Sequence, residues 1–173
     1  MRKWRLLILL IVFSLAGCSL INQIQVDDKT AKEALQYALQ KEGSPYVWGG
    51  RGPDEFDCSG LITWAYKEGV GREYIFRVGN KKTDDATMHQ LYRFNVQEIP
   101  LQKMIPGDIV FITKEEGEIT HGGMFIKWIK EYEEFKFINA SSYFEKVAID
   151  TWPVEGRKRG QWFVGAGRLK IVY

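Results

Sequence analysis

Cysteine and histidine are scarce in this 173-residue chain, with two of each. The two cysteines, Cys18 and Cys58, lack zinc-finger spacing to each other or to the histidines, so no metal site is expected. No serine sits in a G-x-S-x-G elbow, which removes the hydrolase nucleophile most easily read from sequence. The glycines at 49, 50 and 52 have neither the P-loop lysine and hydroxyl pair nor a strand–GxGxxG–helix setting, so a phosphate cradle is not expected either. No internal repeat, low-complexity tract or interdomain linker is visible. The longest uncharged apolar block, Leu6 to Leu15, falls well short of the about 20 residues that a membrane span needs.

That short block follows Arg2, Lys3 and Arg5 and precedes small residues, which is the layout of a secretory signal over residues 1–17. Its end, "LAGC", resembles the lipobox of bacterial lipoproteins. On that resemblance Cys18 carries thioether-linked diacylglycerol and an N-acyl group, an anchor that needs no spanning helix. The competing arrangement is an ordinary signal peptide followed by a Cys18–Cys58 disulfide. The protein is expected in the cell envelope, lipid-anchored to a bacterial membrane and facing the cell wall.

An excess of charge is also missing. The whole chain has 24 Lys and Arg against 22 Asp and Glu. Residues 1–17 hold three of the positive charges and no negative one, which leaves 21 against 22. Nucleic-acid binding therefore has no electrostatic support. The basic cluster "GRKRG" at 156–160 reads as a solvated turn, with contact to anionic envelope polymers or lipid headgroups as the other reading.

About 156 residues after the signal suit a single domain with its own core. Residues 18–28 are expected to be the lipidated cysteine and a tether, and 29–173 the domain. In "KTAKEALQYALQKEG" the spacing of Ala31, Ala34, Leu35, Ala38 and Leu39 predicts an amphipathic helix, with Asp28 as N-cap and Gly43 as its stop. The Gly- and Pro-punctuated "SPYVWGGRGPDEFDC" is a loop of tight turns. "CSGLITWAYKEG" then predicts a second helix, capped by Asp57 and ending at Gly69, with Leu61, Ile62 and Ala65 inward. The aromatics are read as core.

Cys58 thus sits in the first turn of a helix, where unpaired amides and the helix dipole favour negative charge and lower a thiol pKa. A buried structural cysteine is the alternative reading. A thiolate nucleophile needs a base. His89 lies in a polar-aromatic segment read as an exposed turn, whereas His121 opens a strand-like run in which Gly122 and Gly123 leave space beside the ring, so His121 is the better base. Strand, polar turn "KEYEE" and strand "FKFINAS" then predict a hairpin. A turn centred near Lys130 places Asn139 opposite His121, where its carbonyl would accept the imidazole N–H.

"YVWGG" with "FDCSGL", then "PGDIVF", "THGGMFI", "INAS" and "FVGAGR", resemble in order the motifs of the NlpC/P60 family of bacterial cell-wall cysteine peptidases, from about Lys32 onward. The resemblance implies an α+β, papain-like fold in which a nucleophile-bearing helix packs on an antiparallel sheet. It implies hydrolysis of amide bonds in peptidoglycan stem peptides, at the γ-D-glutamyl–diamino acid bond or the diaminopimelate–D-alanine cross-link. Carried over, Cys58 is the nucleophile, His121 the base and Asn139 the orienting residue, at a position more often His in the family. The Cys58 amide and the Tyr46 hydroxyl would hold the oxyanion, and Asp57 and Ser59 match positions that bind a stem-peptide amine. The segment from Gly69 to Asn95 reads as an insert that shapes the cleft. No cofactor is implied, and a monomer is expected. The alternatives are an envelope lipoprotein that holds muropeptides without cutting them, and a papain-like amidase or acyltransferase on another acyl substrate.

Overall fold

The computed structural model describes residues 21–173. The expected signal segment and the lipid site at Cys18 lie outside the described residues. The expected tether does not stay separate from the domain, because Gln23–Gln25 forms strand β1 and Val26 is buried. Backbone pairing with a distant strand accounts for this, with Gln23 facing Val172. Such a contact leaves no mark in local composition.

Helix α1 spans Asp28–Leu39 and α2 spans Cys58–Val70. A small hairpin, β2 (Phe76–Val78) and β3 (Lys81–Thr83), precedes α3 (Met88–Phe94). Then come β4 (Val96–Ile99), β5 (Ile109–Thr113), β6 (His121–Lys130), β7 (Glu134–Ser141), β8 (Lys146–Pro153) and β9 (Trp162–Val172). The main sheet runs β1-β9-β5-β6-β7-β8, with β4 also pairing β9. Every pairing in it is antiparallel. The architecture is the expected α+β class.

The apolar face of α1 is nearly all alanine, which lets α2 approach closely. Gly69 therefore does not end α2. It lies inside the helix, where an added Cβ would sit 3.0 Å from the Ala34 nitrogen. The stop is Gly71, whose φ of 69° is the left-handed cap that glycine adopts at no steric cost. The N-cap of α1 is Asp27 rather than Asp28, its Oδ1 accepting from the Thr30 amide at 2.7 Å. Asp28 instead receives a hydrogen bond from Arg168.

All five residues of β5 are buried, because both faces of the sheet are covered. Ile109 and Phe111 join the core under α1 and α2. Val110 and Ile112 join a second core with Phe125, Phe135, Phe137 and Trp152. Alternation along one strand thus feeds two cores, which explains a continuous apolar run where a half-exposed strand would alternate with polar residues. Eight aromatics, among them Phe56, Tyr66, Phe111 and Trp152, are fully buried in the cores, but Trp48 is 86 % exposed.

Candidate active site

The loop from Ser44 to Asp57 folds onto the start of α2 and fixes it there. Asp57 caps the helix, Oδ1 accepting from the Gly60 amide at 2.6 Å and from the Ser59 hydroxyl at 2.9 Å. Its Oδ2 accepts from the Gly49 amide at 3.1 Å and from Arg51 at 2.7 Å. Arg51 in turn bonds Asp85 at 2.7 Å, joining the loop to the segment before α3. Gly60 rests against the Gly50 carbonyl so closely that a Cβ would overlap it. Cys58 is the first helical residue and is half-buried, at the junction of two cavities.

One cavity, of about 390 Å³, is lined by Tyr46, Cys58, His121, Ser141, Tyr143 and Arg159, among others. The other, of about 520 Å³, is bounded by Asp57, Cys58, Ser59, Thr87, His89 and Lys114, among others. Thr87, Met88 and His89 bring part of the Gly69–Asn95 segment to this second cavity. Trp48 reaches both.

His121 opens β6 and lies across from Ile112 of β5. The β6–β7 hairpin does not have the expected register. Met124 faces Ile138, which places Gly123 rather than His121 across from Asn139, and irregularities at Phe125/Lys127 and Trp128/Lys130 carry the turn to residues 131–133. The two side chains still meet, because residues two apart along β6 share a face and the diagonal gap is within side-chain reach. His121 Nε2 lies 3.1 Å from Asn139 Oδ1. Asn139 Nδ2 donates to the Ala148 carbonyl at 3.1 Å, which orients the amide and directs its oxygen at the ring. Nε2 therefore carries the imidazole hydrogen, and Nδ1 keeps a free lone pair. Gly122 and Gly123 let the neighbouring strands close tightly on β6. A Cβ at either would overlap a carbonyl of a neighbouring strand, Val110 or Ile138 respectively.

The electrostatics differ from the expected thiolate. Burial pushes the Cys58 thiol up to about 12, the Asp57 charge adds to the rise, and the Ser59 and Cys58 amides only partly oppose it. Burial also takes His121 down to about 4, against a smaller opposing effect of the Asn139 hydrogen bond. The resting site holds a neutral thiol and a neutral imidazole, so the helix N-terminus is outweighed by desolvation. Tyr46, half-buried on the same cavity wall, has its hydroxyl pKa raised by burial and then by Cys58 and Asp57. It keeps its proton and remains a donor. Iodoacetamide alkylation of Cys58 should be slower at pH 7 than that of a free cysteine, whose pKa is about 8.5, and should still be rising at pH 9.5. A plateau near neutral pH would show a thiolate already formed.

Asp57 and Ser59 border the second cavity but spend their polar atoms inside the protein. Four donors fill the acceptor sites of the carboxylate, and a ligand amine reaches it only by displacing one of them. His89 is no second base, since its Nδ1 accepts the Ile119 amide at 3.2 Å and ties the 114–120 loop to α3. The "GRKRG" cluster is a largely exposed turn, as expected, but two of its cations are tied down. Lys158 and Arg159 both pair with Asp150, at 3.0 and 2.6 Å. The missed signal was Asp150 itself, an acid in the alternating strand "KVAIDTWP" that needed a cation once it was nine-tenths buried. Among the described residues no cluster of three His, Cys, Asp or Glu side chains could hold a metal ion, and no helix is long and apolar enough to cross a membrane.

A model of the NlpC/P60 family matches residues 43–168. The "Probable endopeptidase p60" of Listeria grayi is 31 % identical over 151 residues, which cover 86 % of this chain and 25 % of that protein. The murein DD-endopeptidase MepH of Escherichia coli strain K12 is 33 % identical over 101 residues, 57 % of this chain and 34 % of that one. The chain thus spans about a third or less of the length of these curated relatives. The solved structure of NlpC1 from Trichomonas vaginalis shares the fold at 23 % identity, with a TM-score of 0.61 over 86 % of this chain and 47 % of the other.

Proposed function

The chain belongs to the NlpC/P60 family, and from that premise we propose that it hydrolyses an amide bond in peptidoglycan stem peptides through a covalent acyl-enzyme on Cys58. The observation that carries the proposal is the imidazole held by Asn139, itself fixed by Ala148, in the cavity that Cys58 also lines. Because the thiol is neutral at rest, His121 Nδ1 removes its proton as sulfur attacks the scissile carbonyl. The oxyanion forms against the Cys58 amide, one of the donors left unpaired at the start of α2, with the Tyr46 hydroxyl as second donor. The imidazolium keeps its Nε2–H bond to Asn139 and gives the other proton to the leaving amine. Water, deprotonated by the same Nδ1, attacks the thioester and frees Cys58.

The scissile bond in this reading is the γ-D-glutamyl–diamino acid bond or the diaminopimelate–D-alanine cross-link. The proposed lipid on Cys18 would hold the domain at a membrane facing the cell wall. Protein lacking residues 1–18, incubated with defined muropeptides, should yield fragments whose masses identify the bond. Intact muropeptides with retained binding would instead support a holding site. In the same assay Asn139→Ala should lower kcat at least about tenfold with KM changed less than about twofold, since the amide orients the base without touching the ground-state substrate. Wild-type turnover in that variant would remove Asn139 from the mechanism.

A further inference from the structure

The two cavities differ in which reacting group they touch. Cys58 borders both, but His121 borders only the one that reaches Ser141, Tyr143 and Arg159. The group that receives a proton from His121 is the leaving amine, so the amine side of the scissile bond occupies that cavity. Its lining contains the cations Lys114 and Arg159 and no carboxylate. Asp150 stands behind Arg159 as its support. One of its oxygens takes Arg159 at 2.6 Å, and the other is taken by Lys158 and by the Thr151 amide. Lys158 also donates to the Thr151 carbonyl and hydroxyl, at 2.6 and 3.3 Å, so it is spent in place.

Arg159 is not spent. Among the described residues its guanidinium makes a single hydrogen bond, through Nη1, out of five N–H donors. It is stacked 4.0 Å from the centre of the Tyr143 ring and 4.9 Å from that of Phe144, and its side chain is 27 % exposed. The backbone holds it there at a φ of 53°, a conformation that costs a non-glycine residue about 1 kcal/mol or more. A guanidinium fixed by a carboxylate behind it and a ring beneath it, with donors still open to a cavity, is arranged to receive a planar anion.

We infer that Arg159 binds a free carboxylate on the amine-side residue of the substrate, and so selects leaving groups that are amino acids with an unblocked acid over those whose acid is amidated. This rests on the peptidase reading above and adds to it the chemistry of the departing residue. The test uses paired synthetic stem peptides that share one acyl side and differ only in whether the amine-side residue ends in a free acid or a primary amide. The wild-type enzyme should favour the acid by roughly tenfold in kcat/KM, as expected of one charge-assisted contact. Arg159→Gln should bring that ratio close to one, and Arg159→Lys should keep part of it as a point charge. Equal cleavage of the two peptides by wild type, or an undiminished ratio in Arg159→Gln, would overturn the inference while leaving the peptidase reading intact. Cleavage of neither peptide by folded wild-type protein would remove both. If Arg159→Gln does not fold, Arg159→Lys decides: a reduced preference for the acid supports the inference, and an unchanged one overturns it.

Discussion

Replacing Cys58 by alanine should lower muropeptide hydrolysis by a factor on the order of 10⁴–10⁶, the loss seen when the nucleophile of a cooperating catalytic set is removed. Binding and thermal stability should change little, because the side chain is small and half-buried at a cavity junction. His121→Ala should cost nearly as much, and the double variant hardly more than either alone. That non-additivity follows from the neutral resting pair, in which the sulfur has no useful nucleophilicity until Nδ1 takes its proton. Product release by Cys58→Ala at more than a tenth of the wild-type rate would place the nucleophile elsewhere.

Arg168→Ala should destabilise the domain by about 3–5 kcal/mol, the range for removing one partner of a buried ion pair. Asp108 is fully buried, and Arg168 grips it twice, Nε to Oδ1 at 2.9 Å and Nη2 to Oδ2 at 3.1 Å. The same guanidinium donates to the Lys103 carbonyl and to Asp28, so its loss loosens α1, the turn before β5 and β9 together. For a domain of this size a loss of that order lowers Tm by roughly 10 °C. Burial already holds the Asp108 carboxyl above the usual range, with Arg168 opposing it. Without Arg168 the pKa rises further and the folded protein binds a proton more readily than the unfolded chain. The Tm gap between variant and wild type should therefore shrink as pH falls toward about 4, and be widest at neutral pH. A pH-independent gap, or one under about 1 kcal/mol, would show that the pair contributes little.

The sequence was most informative where one local rule governed the outcome. The periodicity of α1, the Asp57 cap of α2 and the glycine-punctuated loop between them are all legible because the cause lies within a few residues. Legibility failed where distant groups decided. The hairpin register slipped because bulges at Phe125/Lys127 and Trp128/Lys130 have no composition signal. The thiol pKa moved the opposite way because burial outweighs a helix N-terminus, and burial is a property of the packed molecule. The Asp57–Arg51–Asp85 chain and the Asp150 cluster were missed because each joins residues that no short-range pattern links.

Three strands close on β9, with Gln23 facing Val172, Val96 facing Leu169 and Ile109 facing Gly167. The β6–β7–β8 meander needs only neighbours in the chain and can form early. β1, β4 and one edge of β5 must wait for a segment made long after them, and closures over such separations are slow. A chain threaded through a membrane N-terminus first would therefore keep an incomplete sheet until β9 had crossed. If the protein is exported as proposed, the order of strands would act as a timer, withholding the proposed wall-cutting activity until β9 had reached the side where the wall is.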